Sequence, residues 1–536
     1  MGEPAARIFA AAVIGGMATE TGGERQGSAQ GKEEVSEADI LLVESEEELR
    51  RVRAATDLKF LDSALDRNIL FAPELFLGFL INDAGKRILR DILAGKPPVF
   101  EPRTVALVNY LILHDILTAE ESSDASAASS DATPPAEEAM PFAPMSVTLC
   151  PTTECNLRCI YCYASAGEHV KYMSPALAHR AVDYALGNAV AGGKKSFRVG
   201  FHGGGEPMMA FDLVSDAVSY ARERTKSHGL EPNFMIGTNL CYDRARIDFL
   251  IRNMDSACVS LDGSREIQDR QRPQADGSGS FDTIARNLHI LDEHDFLYSI
   301  RGTVTRLNFH ELPEIVDYLT DTFKARSFHF EPITLASRAV TNDMHGVTYE
   351  EYSEAYFKAW EIARAKGKEF SISGTDIFSG RAYFCGASSG NFWVTPEGNV
   401  TTCAEVLSAR DPLARTFVIG RYDPVADRFD IDEEKVRLLR KRRSCELPGC
   451  SSCLARYLCR SGCPVRVLRC GGDYLEAAGI PEGRCKFVLE VVRRKLEVLL
   501  THEGSRLEEE DYLALAEPGS LQEEELQVVD FDTGRF

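Results

Sequence analysis

Residues 145–162 read MSVTLCPTTECNLRCIYC. A β-rich run, MSVTLC, leads into three cysteines at positions 155, 159 and 162. Thiolates spaced C-x3-C-x2-C can hold three corners of a four-iron cubane, because such clusters are bound by cysteine sulfur, and they leave one iron open. A structural zinc site takes four protein ligands, and no His or Cys follows at finger-like distance, so the spacing favours a cluster over zinc.

The same kind of run recurs downstream as FRVGFH, FMIGTN, ACVSLD, YSIRGTVT and SFHFEPIT. Six strands, each followed by a helix of about 12 to 18 residues, are the signature of a parallel β/α array. They are too few for an eight-stranded barrel. The expected fold class is therefore α/β, with a partial, TIM-like barrel of six β/α units over residues 145–375. In such arrays chemistry sits at the C-terminal ends of the strands. The three cysteines lie in the loop after the first one.

A chain of 536 residues is too long for one ordinary core and suggests two to four domains. Lys and Arg number 60 against 82 Asp and Glu, a net charge of −22, which argues against a general nucleic-acid or membrane-surface binder. No apolar run approaches the roughly 18 to 20 residues that span a bilayer. The apolar stretch RIFAAAVIGGMA makes a poor signal peptide, since Glu3 precedes it and Arg7 is its one nearby cation; it reads as a frayed tail or edge strand. Fifteen cysteines in a long chain without secretion signals point to metal binding in a reducing, cytoplasmic setting rather than to disulfides.

Residues 1–38 are polar and read as a disordered tail. Residues 39–120 read as a small winged-helix-like module: an extended LKFLDS, a helix over FLGFLINDAGKRILRDILAGK (76–96) with Asn82 and Asp83 at the N-cap place, and a second helix over VALVNYLILHDIL. The Ser, Ala, Pro and acid-rich stretch 121–144 is a linker. After the barrel, residues 376–490 hold Cys385, Cys403, Cys445, Cys450, Cys453, Cys459, Cys463, Cys470 and Cys485, and read as a separate, metal-organised region. Residues 491–536 read as a helix and an acidic tail; from 503 onward eleven acids face two arginines.

CNLRCIYCY resembles the cluster-binding signature of the radical S-adenosylmethionine superfamily, in which an aromatic residue, here Tyr161, precedes the third cysteine. The resemblance implies that S-adenosylmethionine occupies the open iron. An electron from the cluster then cleaves it to a 5'-deoxyadenosyl radical that abstracts hydrogen from substrate. Gly204, Gly205, Glu206 and Pro207 match the family's GGEP motif, whose backbone and acid receive the cofactor's amino group; taken alone they form a glycine turn beside a helix cap. Thr238 and Asn239 match the TN that lines the cofactor pocket. VSLDGSREIQDRQRP (259–273) and GSGSFD (277–282) resemble the family's SLDG segment, which implies that Ser260 and Asp262 face the cofactor; singly they are also turn and cap residues. Arg301, among apolar neighbours in the fifth strand, would pair with the cofactor's carboxylate or with Glu331.

The distal cysteines resemble the seven-cysteine SPASM extension, with a zinc-ribbon array as the alternative. The resemblance implies two auxiliary four-iron clusters, the outer on Cys450, Cys453, Cys459 and Cys485 and the inner on Cys385, Cys403 and Cys463. Cys445 is the nearest candidate for the inner cluster's fourth ligand; otherwise an open iron is left for a substrate thiolate. Cys150, Cys241, Cys258 and Cys470 read as buried and inert. In sulfatase-maturing relatives an aspartate follows the second SPASM cysteine and acts as base. Here Ala404 and Glu405 follow Cys403, a departure that argues against sulfatase maturation while leaving Glu405 able to take a proton.

FLGFLINDAGKRILRDILAG resembles the PqqD-like domains that bind leader peptides by edge-strand addition, with a helical cap as the alternative. RLLRKRR (437–443) reads as a solvated helix face or an attractor for an acidic peptide. The resemblance therefore implies a radical S-adenosylmethionine/SPASM maturase that acts on a ribosomal precursor peptide or a protein, abstracting hydrogen and forming a thioether-type cross-link. Its electron donor would be of the flavodoxin or ferredoxin kind, with no nucleic acid or membrane partner. The alternatives are a formylglycine-forming sulfatase maturase, a dehydrogenase-subunit maturase and, in another class, a zinc-organised scaffold without catalysis.

Overall fold

The computed structural model describes residues 43, 45–55, 58–62, 68–72, 77–81, 83–100, 102–113, 116–119, 140–375, 383–444, 446–450, 453–476, 479–501 and 526–530. They fall into two compact units.

The first unit combines the front of the chain with its last described strand. Strands β1 (Val52–Ala54), β2 (Lys59–Asp62), β3 (Asn68–Ala72), β4 (Leu77–Ile81) and β5 (Leu117–Ala119) are joined by helices Asp83–Leu93 and Pro102–Leu113. β2, β3 and β4 pair antiparallel in order, and β1 pairs with β5. The core gathers Val52, Leu58, Leu70, Leu89, Ile92, Val108 and Leu111. The helix expected over 76–96 is split: LGFLI forms β4, and the helix begins at Asp83. An apolar run of five residues fits either period, and only the sheet pairing decides it. Asn82 lies outside the described residues. The acidic tail, expected to be solvated, contributes a strand of its own, Leu526–Asp530, which pairs antiparallel with β4.

The second unit is a mixed α/β structure around one sheet. Its strands are β6 (Ser146–Leu149), β7 (Ser196–Phe201), β8 (Glu231–Thr238), β9 (Ser256–Ser260), β10 (Tyr298–Val304), β11 (Ser327–Pro332), β12 (Glu369–Ser371), β13 (Trp393–Val394), β14 (Asn399–Thr401), β15 (Val418–Asp423) and β16 (Arg428–Ile431). The sheet order is β12-β11-β10-β9-β8-β7-β6-β13-β14-β15-β16. All six expected strands are present and parallel, and β12 and β13 extend them in parallel at either side. Among the described residues the edge strands β12 and β16 do not pair with each other. The cysteine-rich stretch, expected to stand apart, supplies β13 to β16 to this same sheet.

Local chemistry sets the crossovers. Ser174 caps Pro175–Ala191, with proline in the first turn, and Asp243 caps Arg244–Asn253. Thr348 and Glu351 close a capping box on Tyr349–Ala365. Two connections use shorter helices than expected, Arg244–Asn253 after β8 and Arg265–Gln271 after β9, the second followed by Phe281–Glu293. On β10, Tyr298, Ile300, Gly302 and Val304 are buried, so Arg301 and Thr303 share the opposite face. No helix among the described residues is long and apolar enough to cross a membrane.

Candidate functional site

The loop after β6 is fixed before the first cysteine is reached. Thr152 donates its hydroxyl to the Lys171 carbonyl at 2.8 Å and accepts from the Glu154 N–H at 2.9 Å. The Asn156 amide donates to the Cys241 carbonyl at 2.5 Å, and Asn239 donates to Asn156 Oδ1 at 2.9 Å, joining the loop to the end of β8. From its far side Arg338 donates to the Cys159 carbonyl at 3.0 Å.

Around the sulfurs the chain supplies N–H donors. Cys155 Sγ accepts from the Leu157 N–H at 3.4 Å and from Asn239 at 3.7 Å, Cys162 Sγ from the Ala166 N–H at 3.5 Å, and Arg272 reaches Cys159 Sγ at 4.0 Å. Burial, and then the neighbouring thiols, push Cys155 up to about 12; burial pushes Cys159 up to about 11. These two thiols hold their protons until a metal takes the protons' place.

The Gly204–Glu206 turn packs directly on this loop. Gly205 N–H donates to the Thr152 carbonyl at 2.9 Å and Glu206 N–H to the Glu154 carbonyl at 2.8 Å. A Cβ on Gly205 would lie 1.8 Å from the Glu154 oxygen, and Gly204 adopts φ +72°, so both places require glycine. The buried Glu206 carboxylate accepts from the Thr238 hydroxyl at 2.9 Å, the Asn239 N–H at 2.7 Å and the Met208 N–H at 3.2 Å. Desolvation nevertheless raises its pKa to about 7, above the ordinary 4.5. A cation placed beside it would restore its charge.

These groups surround a cavity of about 550 Å³ at the C-terminal ends of the parallel strands. It is lined by Cys155, Cys159, Cys162, Tyr161, Gly204, Gly205, Glu206, Thr238, Asn239, Ser260, Arg301 and Glu405. Two expected members are elsewhere. Pro207 is buried at the start of the 3-10 turn Pro207–Ala210 and does not line the cavity. Asp262 is fully buried beneath it, accepting from Tyr161 Oη, from Gln271 at 3.0 Å, from Arg272 at 3.1 Å and from the Thr303 N–H at 2.8 Å. It holds the wall rather than facing the space. Arg301 is exposed instead of buried, and Glu331 is paired with Arg466 at 3.2 Å and with His329 at 3.2 Å. The alternation along β10 explains the exposure, because Arg301 falls on the face opposite Ile300; Glu331 lies on the same face as Arg301, in register with Thr303, but its carboxylate is taken by Arg466 and His329.

The distal cysteines form two neighbourhoods. The thiols of Cys385, Cys403 and Cys463 feel one another, and Glu405 lies beside them. Cys485 and Cys459 both feel Cys450 and Cys453. Among the described residues no three His, Cys, Asp or Glu side chains converge as ligands of a single metal ion do. A cubane asks for a looser array, since each thiolate binds a different iron. Cys445 lies outside the described residues. Two cysteines expected to be buried and inert are otherwise placed: Cys258 is half-buried and lines the cavity, and Cys470 is exposed.

Several lining residues carry no motif. His202 ends the β7 run FRVGFH, a place the strand-end rule points to; its ring stacks edge-on to Trp393 at 5.2 Å, and its Nδ1 has no partner. Desolvation lowers its pKa to about 4, so the ring is neutral. Trp393, Glu331 and Arg466 arrive from distant parts of the chain and leave no local signal.

Residues 149–319 match the model of the Radical SAM superfamily. An uncharacterized protein of Methanocaldococcus jannaschii is 31% identical over 181 residues, which make up 34% of this chain and 59% of that protein. A cysteine-type anaerobic sulfatase-maturating enzyme of Clostridium novyi is 22% identical over 355 residues, covering 58% of this chain and 85% of that enzyme. The solved structure of native anSMEcpe with bound AdoMet and Cp18Cys peptide shares the fold, with TM-score 0.53 and 19% identity over 66% of this chain and 98% of that one.

Two outcomes check the geometry. Asp262→Asn leaves Arg272 buried without its carboxylate and should cost about 3–5 kcal/mol, read as a lower urea midpoint than wild type. Glu206 binds its proton more tightly when folded than when unfolded, so it withdraws stability as pH rises from about 4.5 through about 7. Thermal midpoints of the metal-free protein should show that decline, and Glu206→Gln should flatten it relative to wild type.

Proposed function

We propose that this protein is a radical S-adenosylmethionine enzyme that modifies a ribosomally made peptide or a protein. The observation that carries the reading is the cavity itself. Three thiols on one loop meet a buried carboxylate, an unpaired guanidinium and a glycine turn at the ends of parallel strands.

The residues fit the group they would hold. Cys155, Cys159 and Cys162 would bind a four-iron cluster with one iron left for S-adenosylmethionine, and the cavity volume lies in the range of small-molecule sites. When bound, this pair supplies hydrogen abstraction by a one-electron route. The rest falls to the chain. Glu206 takes the cofactor's ammonium and regains its charge. Arg301, free of any ion pair among the described residues, takes the carboxylate. Ser260, Thr238 and Asn239 line the remaining wall. The distal sets on Cys385, Cys403 and Cys463 and on Cys450, Cys453, Cys459 and Cys485 would hold the auxiliary clusters, with a flavodoxin- or ferredoxin-type donor in a reducing cytoplasm.

Two reactions fit a peptide substrate. A cross-link of thioether type suits an inner distal cluster with an open iron. Oxidation of one Cys or Ser side chain, the residue types in the names of the sulfatase-maturating relatives, has an observation in its favour: Glu405 lines the cavity and its Oε2 is buried without a partner among the described residues, ready to accept a proton. Leader binding by the front module would use edge-strand addition. Because Leu526–Asp530 occupies the β4 edge, an incoming strand would add at β2 or displace that segment.

Anaerobically purified protein should carry about twelve irons per chain, as three four-iron clusters require, and zinc without iron would contradict the reading. Replacing Cys155, Cys159 and Cys162 with alanine should abolish 5'-deoxyadenosine formation while leaving about eight irons; continued formation would remove the proposed site. Tandem mass spectrometry of a co-expressed peptide separates a cross-linked pair from a single oxidised side chain.

A further inference from the structure

Four half-buried guanidinium groups of the second unit stand on a carboxylate: Arg272 on Asp262, Arg338 on Glu168, Arg466 on Glu331 and Arg469 on Asp411. Arg442 and Arg484 differ. Each is only 2% exposed, and no carboxylate lies within ion-pair distance of either among the described residues. Arg442 donates to the carbonyls of Tyr474, Glu476 (3.1 Å) and Ser461 (2.9 Å). Arg484 donates to Tyr349 Oη at 2.7 Å and the Ser373 carbonyl at 2.6 Å, and lies over the rings of Tyr349 and Phe384. In both, Nε is buried with no partner. Carbonyls and ring faces offset part of the cost of burying a cation, but they bring no negative charge.

Both arginines lie among distal thiols. Arg442 lies within electrostatic reach of Cys450 and Cys463, one thiol from each distal neighbourhood, and more weakly of Asp473, and Ser461 to which it donates sits between Cys459 and Cys463 in the chain. Arg484 directly precedes Cys485 and lies within electrostatic reach of Cys459 and, more weakly, of Glu331, whose carboxylate is bonded to Arg466. A Cβ on Gly374 would touch Arg484 Nη2 at 3.2 Å and the Cys459 carbonyl at 3.3 Å, so the two groups share one packed slot. A thiol that keeps its proton is neutral and adds no charge beside either cation, leaving only the more distant Asp473 and Glu331. Four thiolates around a four-iron cluster carry net negative charge, which grows by one on reduction.

Resting on the cluster reading above, we propose that Arg442 and Arg484 are built-in counter-charges that set the reduction potentials of the distal clusters. Arg484 serves the cluster on Cys450, Cys453, Cys459 and Cys485. Arg442 lies within reach of that cluster and of the one on Cys385, Cys403 and Cys463. A fixed cation stabilises the reduced, more negative cluster, so its removal makes reduction harder. Because Arg442 is near both sites, it eases the addition of an electron at either of them.

The test is an anaerobic redox titration of the cluster-loaded protein, followed by paramagnetic resonance, with Arg442→Gln, Arg484→Gln and the two Arg→Lys variants. The Gln variants should shift the reduction equilibrium at least tenfold toward the oxidised form, about 59 mV for a one-electron couple. Arg442→Gln should move both distal clusters and Arg484→Gln one, while the cluster on Cys155, Cys159 and Cys162 stays in place. Lys, which keeps the charge, should retain most of the wild-type potential. In the iron-free protein the order reverses, and the Gln variants should be at least as stable to urea as wild type. Full iron content with unchanged potentials in the Gln variants overturns the inference. If the Gln variants fail to load iron, rescue by Lys supports the counter-charge role, and failure of Lys to rescue overturns it in favour of hydrogen bonding by the guanidinium. A wild-type protein with about four irons instead of about twelve overturns the distal-cluster reading itself.

Discussion

One fully buried carboxylate holds the candidate site together. Asp262 stands at the end of β9 and accepts four hydrogen bonds: from Tyr161 in the cysteine loop, from Gln271 and Arg272 at the end of the helix after β9, and from the Thr303 backbone on β10. Without it the cysteine loop would keep its tie to the end of β8 through Asn156 but lose its tie to β9 and β10, and Arg272, which reaches the Cys159 sulfur, would lose its carboxylate. The charge that fixes the wall thereby also places a positive group against a thiolate ligand. Structure and chemistry meet in one ion pair whose carboxylate the solvent does not touch.

On the other side of the cavity the work is done by backbone. The glycine turn lies so close to the cysteine loop that a methyl group at Gly205 would collide with a carbonyl, and Glu206 is then pulled inward by the end of β8. Desolvation makes that carboxylate reluctant to ionise until a cation arrives. The cavity thus presents the Arg301 guanidinium, which has no ion pair among the described residues, and the Glu206 carboxylate, which ionises readily only beside a cation. That arrangement suits a zwitterionic ligand.

What was legible in the sequence follows from range. Cys155, Cys159 and Cys162, the Gly204–Glu206 turn and the six β-rich runs are local patterns, and the structure contains each where expected. β12 and β13 are three and two residues long, too short to show a period, and exist because neighbouring strands offer them an edge. The run 77–81 fits a helix or a strand until β3 and Leu526–Asp530 pair with it. Side-chain roles were legible only where backbone alternation could be applied. Asp262 sits in a recognisable motif yet faces inward, and Arg301 shares a sheet face with Glu331 but finds that carboxylate already held by Arg466 and His329. RLLRKRR reads as a solvated helix face, whereas Arg440 and Arg442 are buried, since the carbonyls and thiols that receive Arg442 come from residues 450–476.

The central claim is that Cys155, Cys159 and Cys162 hold a cluster with one iron open to S-adenosylmethionine beside Glu206. The most direct measurement is the paramagnetic resonance spectrum of the reduced protein, with the distal cysteines replaced by alanine, before and after addition of S-adenosylmethionine. The account predicts one cluster signal whose g-values shift when the cofactor is added. A signal that the cofactor leaves unchanged, or the absence of any cluster, would contradict it.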